Sequence, residues 1–129
     1  MFQAPHLRLL TTDFQTSFRF YKDTLGLTPR FGPESEIYAE FDLGGQTLAL
    51  FERPLMAEAV GAVDKPVSAN AQDAAMLVLM TENVDAATQL LKSRGVTFVA
   101  PPQDRPEWGV RTAQFRDPDG ALIEINSAL

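Results

Sequence analysis

With 129 residues, 45% of them hydrophobic and 22% charged, the chain can bury a core and is too apolar to be disordered. It has no cysteine, which excludes disulfides, thiolate metal sites and cysteine nucleophiles. A net charge of -6, from 11 Lys and Arg against 17 Asp and Glu, lacks the clustered positive field that nucleic acid requires, so no nucleic-acid partner is expected.

The first ten residues include Pro5, His6 and Arg8 and lack the apolar run and cleavage pattern of a signal peptide. No later run approaches membrane-spanning length, so a cytoplasmic protein with no membrane partner is expected. Residues 7–10 read as a strand. Thr12 with Gln15 matches a capping box, and Asp13 suits the positive end of the helix that follows. Phe14, Phe18, Tyr21 and Leu25 then recur at helical spacing, and Gly26 stops the helix. Strands are predicted over 27–31, 37–41 and 47–51, with Gly44-Gly45 as the hairpin turn. Residues 53–74, rich in Ala, Pro and small polar residues, read as a linker or a lid, with a short helix over 55–60.

The second half repeats this order. A strand over 76–80 leads into a helix opened by Thr81-Glu82-Asn83, with Val84, Ala87, Leu90 and Leu91 on its buried side and Gly95 as its stop. Strands follow over 96–99, 110–115 and 121–125, and Asp119-Gly120 makes the last turn. Overlaying Gly26 on Gly95 places Asp13 on Glu82 without a gap. The last hairpins match at Gly45 and Gly120 if the loop over 100–109 is longer than its counterpart over 32–36. The chain therefore reads as α+β, two tandem βαβββ modules over 1–52 and 75–129 joined by 53–74 into one domain.

Alternation places Thr47, Ala49 and Phe51 on one face of their strand, and Leu122, Glu124 and Asn126 on one face of theirs. Glu124, flanked by Ile123 and Ile125, faces either water or a polar cavity. Trp108, the single tryptophan, is expected to anchor its loop in the core, or else to stack on a flat guest. Arg111 is a candidate to hold an anionic group. Asp117-Pro118-Asp119-Gly120 is a turn and not a calcium loop, since the further oxygen ligands and closing Glu are missing. No phosphate-binding glycine loop or nucleophile elbow is present.

The doubled order, Ser17-Phe18-Arg19-Phe20-Tyr21 leading to Leu25-Gly26-Leu27, Trp108-Gly109, and Phe115-Arg116-Asp117-Pro118-Asp119-Gly120 before Ile123-Glu124-Ile125 resemble the vicinal oxygen chelate superfamily. That group holds glyoxalase I, extradiol dioxygenases and bleomycin-resistance proteins. The resemblance implies a cup-shaped mixed sheet with a small-molecule cavity between the modules, and pairing into a homodimer. It places the family's metal-ligand positions on His6, Ala49, Ala75 or Met76, and Glu124, of which only His6 and Glu124 are competent donors. With one histidine in the chain, a two-histidine iron site cannot form in one protomer. The expectation is a protein closest to the bleomycin-resistance branch, without metal or other cofactor, that sequesters a small organic molecule. Its walls would be Phe51, Leu122 and Trp108, and its polar contacts His6, Glu124 and Asn126. The alternative is a metal-dependent lyase, isomerase or dioxygenase using His6, Glu124 and a third group such as Asp73 or Glu52.

Overall fold

Among the residues the computed structural model describes (1, 3, 6–31, 35–67 and 71–129), the elements follow the doubled βαβββ order. The first module holds β1 (Leu7–Thr11), α1 (Phe14–Arg19) running into a π-helical turn (Phe20–Thr24), β2 (Thr28–Phe31), β3 (Tyr38–Leu43) and β4 (Gln46–Glu52). Helix α2 (Arg53–Ala59) follows. The second module holds β5 (Met76–Met80), α3 (Val84–Ser93), β6 (Phe98–Arg105), β7 (Val110–Arg116) and β8 (Leu122–Ala128). Pro5, residues 32–34 of the first-module loop and residues 68–70 of the connecting segment lie outside the described residues. No helix among the described residues is long and apolar enough to cross a membrane.

Each module makes its own four-stranded mixed sheet, in the orders β1-β4-β3-β2 and β5-β8-β7-β6. The first strand lies parallel to the last, and the remaining pairs are antiparallel hairpins. The chain divides into two compact units, Met1–Val67 and Ser68–Leu129, so α2 belongs to the first. It packs against β1 and β4, and the Arg53 guanidinium donates to the Leu10 carbonyl at 2.9 Å.

Period-two alternation gives every strand a helix-side face. In the first module Leu48, Leu50, Ala39 and Phe41 on that face are sealed from solvent with Phe14, Phe18 and Tyr21 of the helix. The second module buries Ile123, Ile125, Ala113 and Phe115 with Val84, Thr88 and Leu91. Apolar burial on one face fixes the register, since a one-residue slip would turn the whole apolar set outward.

Four expectations change at this level. The helix is capped by Asp13, whose carboxylate accepts from the Thr16 amide at 3.1 Å and the Thr16 hydroxyl at 2.8 Å, and not by Thr12. The second cap is Asn83, accepting from the Ala86 amide at 2.9 Å, so Asp13 corresponds to Asn83 and not to Glu82. The first module thus carries one extra residue between its cap and its closing glycine. The π-helical turn absorbs it, because that turn is an α-helix with one residue inserted. The closing bonds agree: Leu27 donates to the Tyr21 carbonyl where Val96 donates to that of Leu91, one residue nearer. With Asn83 as cap the buried stripe of α3 falls on Val84, Thr88 and Leu91, and Leu90 is 50% exposed.

The fourth change is β6, which occupies most of the stretch read as a loop over 100–109. Pro101 and Pro102 sit in an edge strand, where the register slips between Ala100 and Gln103. Proline is tolerated there because an edge strand has amides that need no partner.

Candidate ligand-binding site

The face of each sheet turned away from its helix carries the polar residues. In the second module the β7–β8 ladder pairs Gln114 with Glu124 and Thr112 with Asn126. The Glu124 side chain is only 6% exposed. One carboxylate oxygen accepts from the Gln114 amide at 2.7 Å, the other from the Asn126 amide at 2.9 Å. No guanidinium or ammonium group forms an ion pair with it among the described residues. A buried charge held by neutral amides alone is only half compensated. Beside it the Thr112 hydroxyl is buried without a hydrogen-bond partner among the described residues. Buried hydroxyls are ordinarily satisfied, so this cluster has unused capacity.

The same face continues into apolar surface. The β5–β8 register sets Met76 beside Leu122, Val78 beside Glu124 and Met80 beside Asn126. Those three β5 side chains are 46%, 42% and 84% exposed. An anionic group framed by exposed methionine and valine suits a guest with an apolar body and a donor or cationic head.

In the first module Arg8, Ala49 and Glu40 stand in one row across β1, β4 and β3 on the helix-free face. Thr47 and Phe51 flank Ala49 on β4, as alternation predicts. Arg30 donates to the Thr47 hydroxyl, and His6, exposed just before β1, lies 3.4 Å from the Arg8 guanidinium. His6, Thr47, Ala49 and Phe51 therefore belong to the first unit, Leu122, Glu124 and Asn126 to the second.

Two candidate residues lie elsewhere. Arg111 points to the helix side of β7, opposite Glu124. It is held bidentately by Asp85 at 2.8 Å and also by Asp104 at 2.8 Å, so its fork is already filled. Trp108 does not anchor the core: it is 61% exposed in a tight turn closed by Gly109, with the Arg105 guanidinium 5.0 Å from its ring centroid. Gln114, Thr112, Arg8 and Glu40 escaped the sequence reading. Counting outward from the turns at Asp119-Gly120 and Gly44-Gly45 would have found them, because the turn sets which residues sit opposite.

The register also decides the metal-ligand positions. Val78 beside Glu124 corresponds to Arg8 beside Ala49, so the counterpart of His6 is Met76 and not Ala75. Ala49 supplies no donor and Met76 only a thioether, a poor ligand for a divalent ion that takes nitrogen and oxygen. Asp73 is occupied as well, accepting two hydrogen bonds of 2.8 Å from Arg116. Among the described residues no three His, Asp or Glu converge to hold a metal, so the donor set does not fit one.

Hydrogen bonds from Arg116 hold the Asp73 carboxyl below its ordinary value of 3.8, outweighing the opposing effect of burial. A lowered folded-state value means the pair stabilises above pH 3.8 and that this contribution fades as pH falls through the folded value. Asp73→Asn should therefore melt below the parent at pH 7, with the gap closing in acid. An equal gap at pH 7 and pH 2.5 would show that the charge is irrelevant.

A family model described as Glyoxalase/Bleomycin resistance protein/Dioxygenase superfamily matches residues 3–125. Protein YraH of Bacillus subtilis (strain 168) is 42% identical over 123 residues, covering 95% of this chain and 96% of YraH. The crystal structure of a glyoxalase/bleomycin resistance protein/dioxygenase from Nocardioides superposes with a TM-score of 0.81 at 28% identity, covering 100% of this chain and 85% of that one. A member of the same superfamily from Sphaerobacter thermophilus superposes with a TM-score of 0.73 at 27% identity, covering 98% and 97%.

Proposed function

Because the chain belongs to the Glyoxalase/Bleomycin resistance protein/Dioxygenase superfamily, we propose that it works as one of that group's binders, holding a small organic molecule without a metal ion. The observation that carries this reading is Glu124, a buried carboxylate clamped by two amides with no cationic partner among the described residues. A guest with a protonated amine or a strong hydrogen-bond donor completes that charge, and its apolar body lies along Met76, Val78 and Met80. Capture needs no transition-state chemistry, and the protein acts as a cytoplasmic homodimer.

A thermal-shift screen of small amines and hydroxylated aromatics against the parent and Glu124→Gln tests this. Glutamine keeps the shape, and Gln114 can turn its amide to remain bonded, so the fold is retained. A charge-assisted hydrogen bond contributes about 1.5–3 kcal/mol, so hits should bind Glu124→Gln roughly 10- to 100-fold more weakly. Hits indifferent to the substitution would remove Glu124 from the site. Elemental analysis of protein purified without chelators decides the rival reading. One divalent ion per chain, lost in His6→Ala, would make this a metal-dependent enzyme.

A further inference from the structure

The second module carries a cleft on the helix side of its sheet, the face opposite Glu124. It is lined by Lys92, Gly95, Val96, Thr97, Phe98 and Pro101. Its volume of about 560 Å3 lies within the usual range for small-molecule sites, and it stands open to solvent. The cleft arises where α3 turns into β6. Gly95, at φ 90°, reverses the chain while its amide donates to the Lys92 carbonyl at 3.0 Å, and the Val96 amide donates to that of Leu91. A methyl group at Gly95 would meet no neighbouring atom within 4 Å, so nothing fills the mouth there. The floor is apolar. Val96 is buried, and the half-buried Phe98 ring rests on Phe115 with centroids 5.2 Å apart.

The first module offers a comparison. Because Leu27 closes on Tyr21 as Val96 closes on Leu91, Lys22 and Pro29 stand where the second module has Lys92 and Phe98. The Lys22 ammonium lies 3.9 Å from the Asp23 carboxylate. Lys92 is followed instead by Ser93, whose hydroxyl donates to the Leu90 carbonyl at 2.6 Å, and it forms no ion pair among the described residues. The second module thus sets an aromatic floor and an uncommitted cation where the first has a proline and a paired lysine. A peptide strand is a poor fit, since Pro101 and Pro102 offer no amides for strand addition and the register slips beside them. A flat ring can stack on Phe98, and a carboxylate complements the ammonium group.

We propose that this cleft is a second binding site, for a small arylcarboxylate whose ring lies on Phe98 and whose carboxylate meets the Lys92 ammonium.

Titration of the 15N-labelled full-length chain with 3-phenylpropionate and its neutral counterpart 3-phenylpropanol tests it. The amides of Gly95, Thr97 and Phe98 should shift saturably with both. The alcohol should bind roughly three- to five-fold more weakly, the effect of one exposed ion pair. Lys92→Gln should erase that difference and leave the alcohol's affinity unchanged. Strong salt should erase it as well, since the lysine is exposed. Thr97→Trp, which fills the cleft from an exposed position, should abolish saturable shifts with either compound. Linear shifts, shifts centred on Gln114 and Asn126, or an affinity for 3-phenylpropionate unaltered in Lys92→Gln would overturn the proposal.

Discussion

Phe41→Ala is expected to destabilise the protein by about 3–5 kcal/mol, the largest loss from any single truncation in the first module. Phe41 is fully buried on β3 and meets two of the three buried aromatic residues of α1 and its π-helical extension, with ring centroids 5.4 Å from Phe18 and 6.1 Å from Tyr21. Removing the ring takes away apolar contact area and leaves a cavity that two helix side chains and a sheet cannot close together. Leu90→Ala on α3 is the control. Its side chain is half exposed, and the change should stay within about 0.5 kcal/mol. Urea unfolding followed by far-UV circular dichroism gives both values. A comparable loss from Leu90→Ala would mean that the buried stripe of α3 has been misplaced.

That contrast between Phe41 and Leu90 also marks what the sequence could show. Strand faces were legible because a period of two has only two phases, and the wrong one would bury Glu40 or Asp42 in place of Phe41. The doubled order of elements was legible for the same reason, reinforced by glycines at matching turns. Helix phase was harder. Thr12, Asp13 and Asn83 are all competent caps, and a gapless overlay of the halves hid the residue that the π-helical turn absorbs. Reading one strand at a time puts Glu124 and Asn126 on one face. Gln114 supplies a donor from the neighbouring strand, and only a register counted from the turn places it opposite. Trp108 and Arg111 went wrong through side-chain direction. A tight turn presents the indole outward, and odd-numbered positions of β7 face the helix, where Asp85 was waiting.

The turn that sets this register should be nearly as sensitive as the core. Asp117 is 6% exposed, and its carboxylate accepts the backbone amides of Asp119 at 2.9 Å and Ala121 at 2.8 Å. Its own amide donates to the Ala121 carbonyl at 2.9 Å, and its carbonyl accepts from Gly120. Asp117→Ala removes an ionised acceptor from two amides at once, and bonds to a charged group contribute about 1.5–3 kcal/mol each without full additivity, so a loss of about 3 kcal/mol is expected. Asp117→Asn keeps an oxygen in the same place and should lose about 1 kcal/mol. Beyond stability, this turn decides that Phe115 faces Ile123 and Gln114 faces Glu124. If Asp117→Ala proves as stable as Asp117→Asn by urea unfolding, the side chain does not pin the turn. The apolar pairing of Phe115 with Ile123 would then alone be holding Gln114 against Glu124.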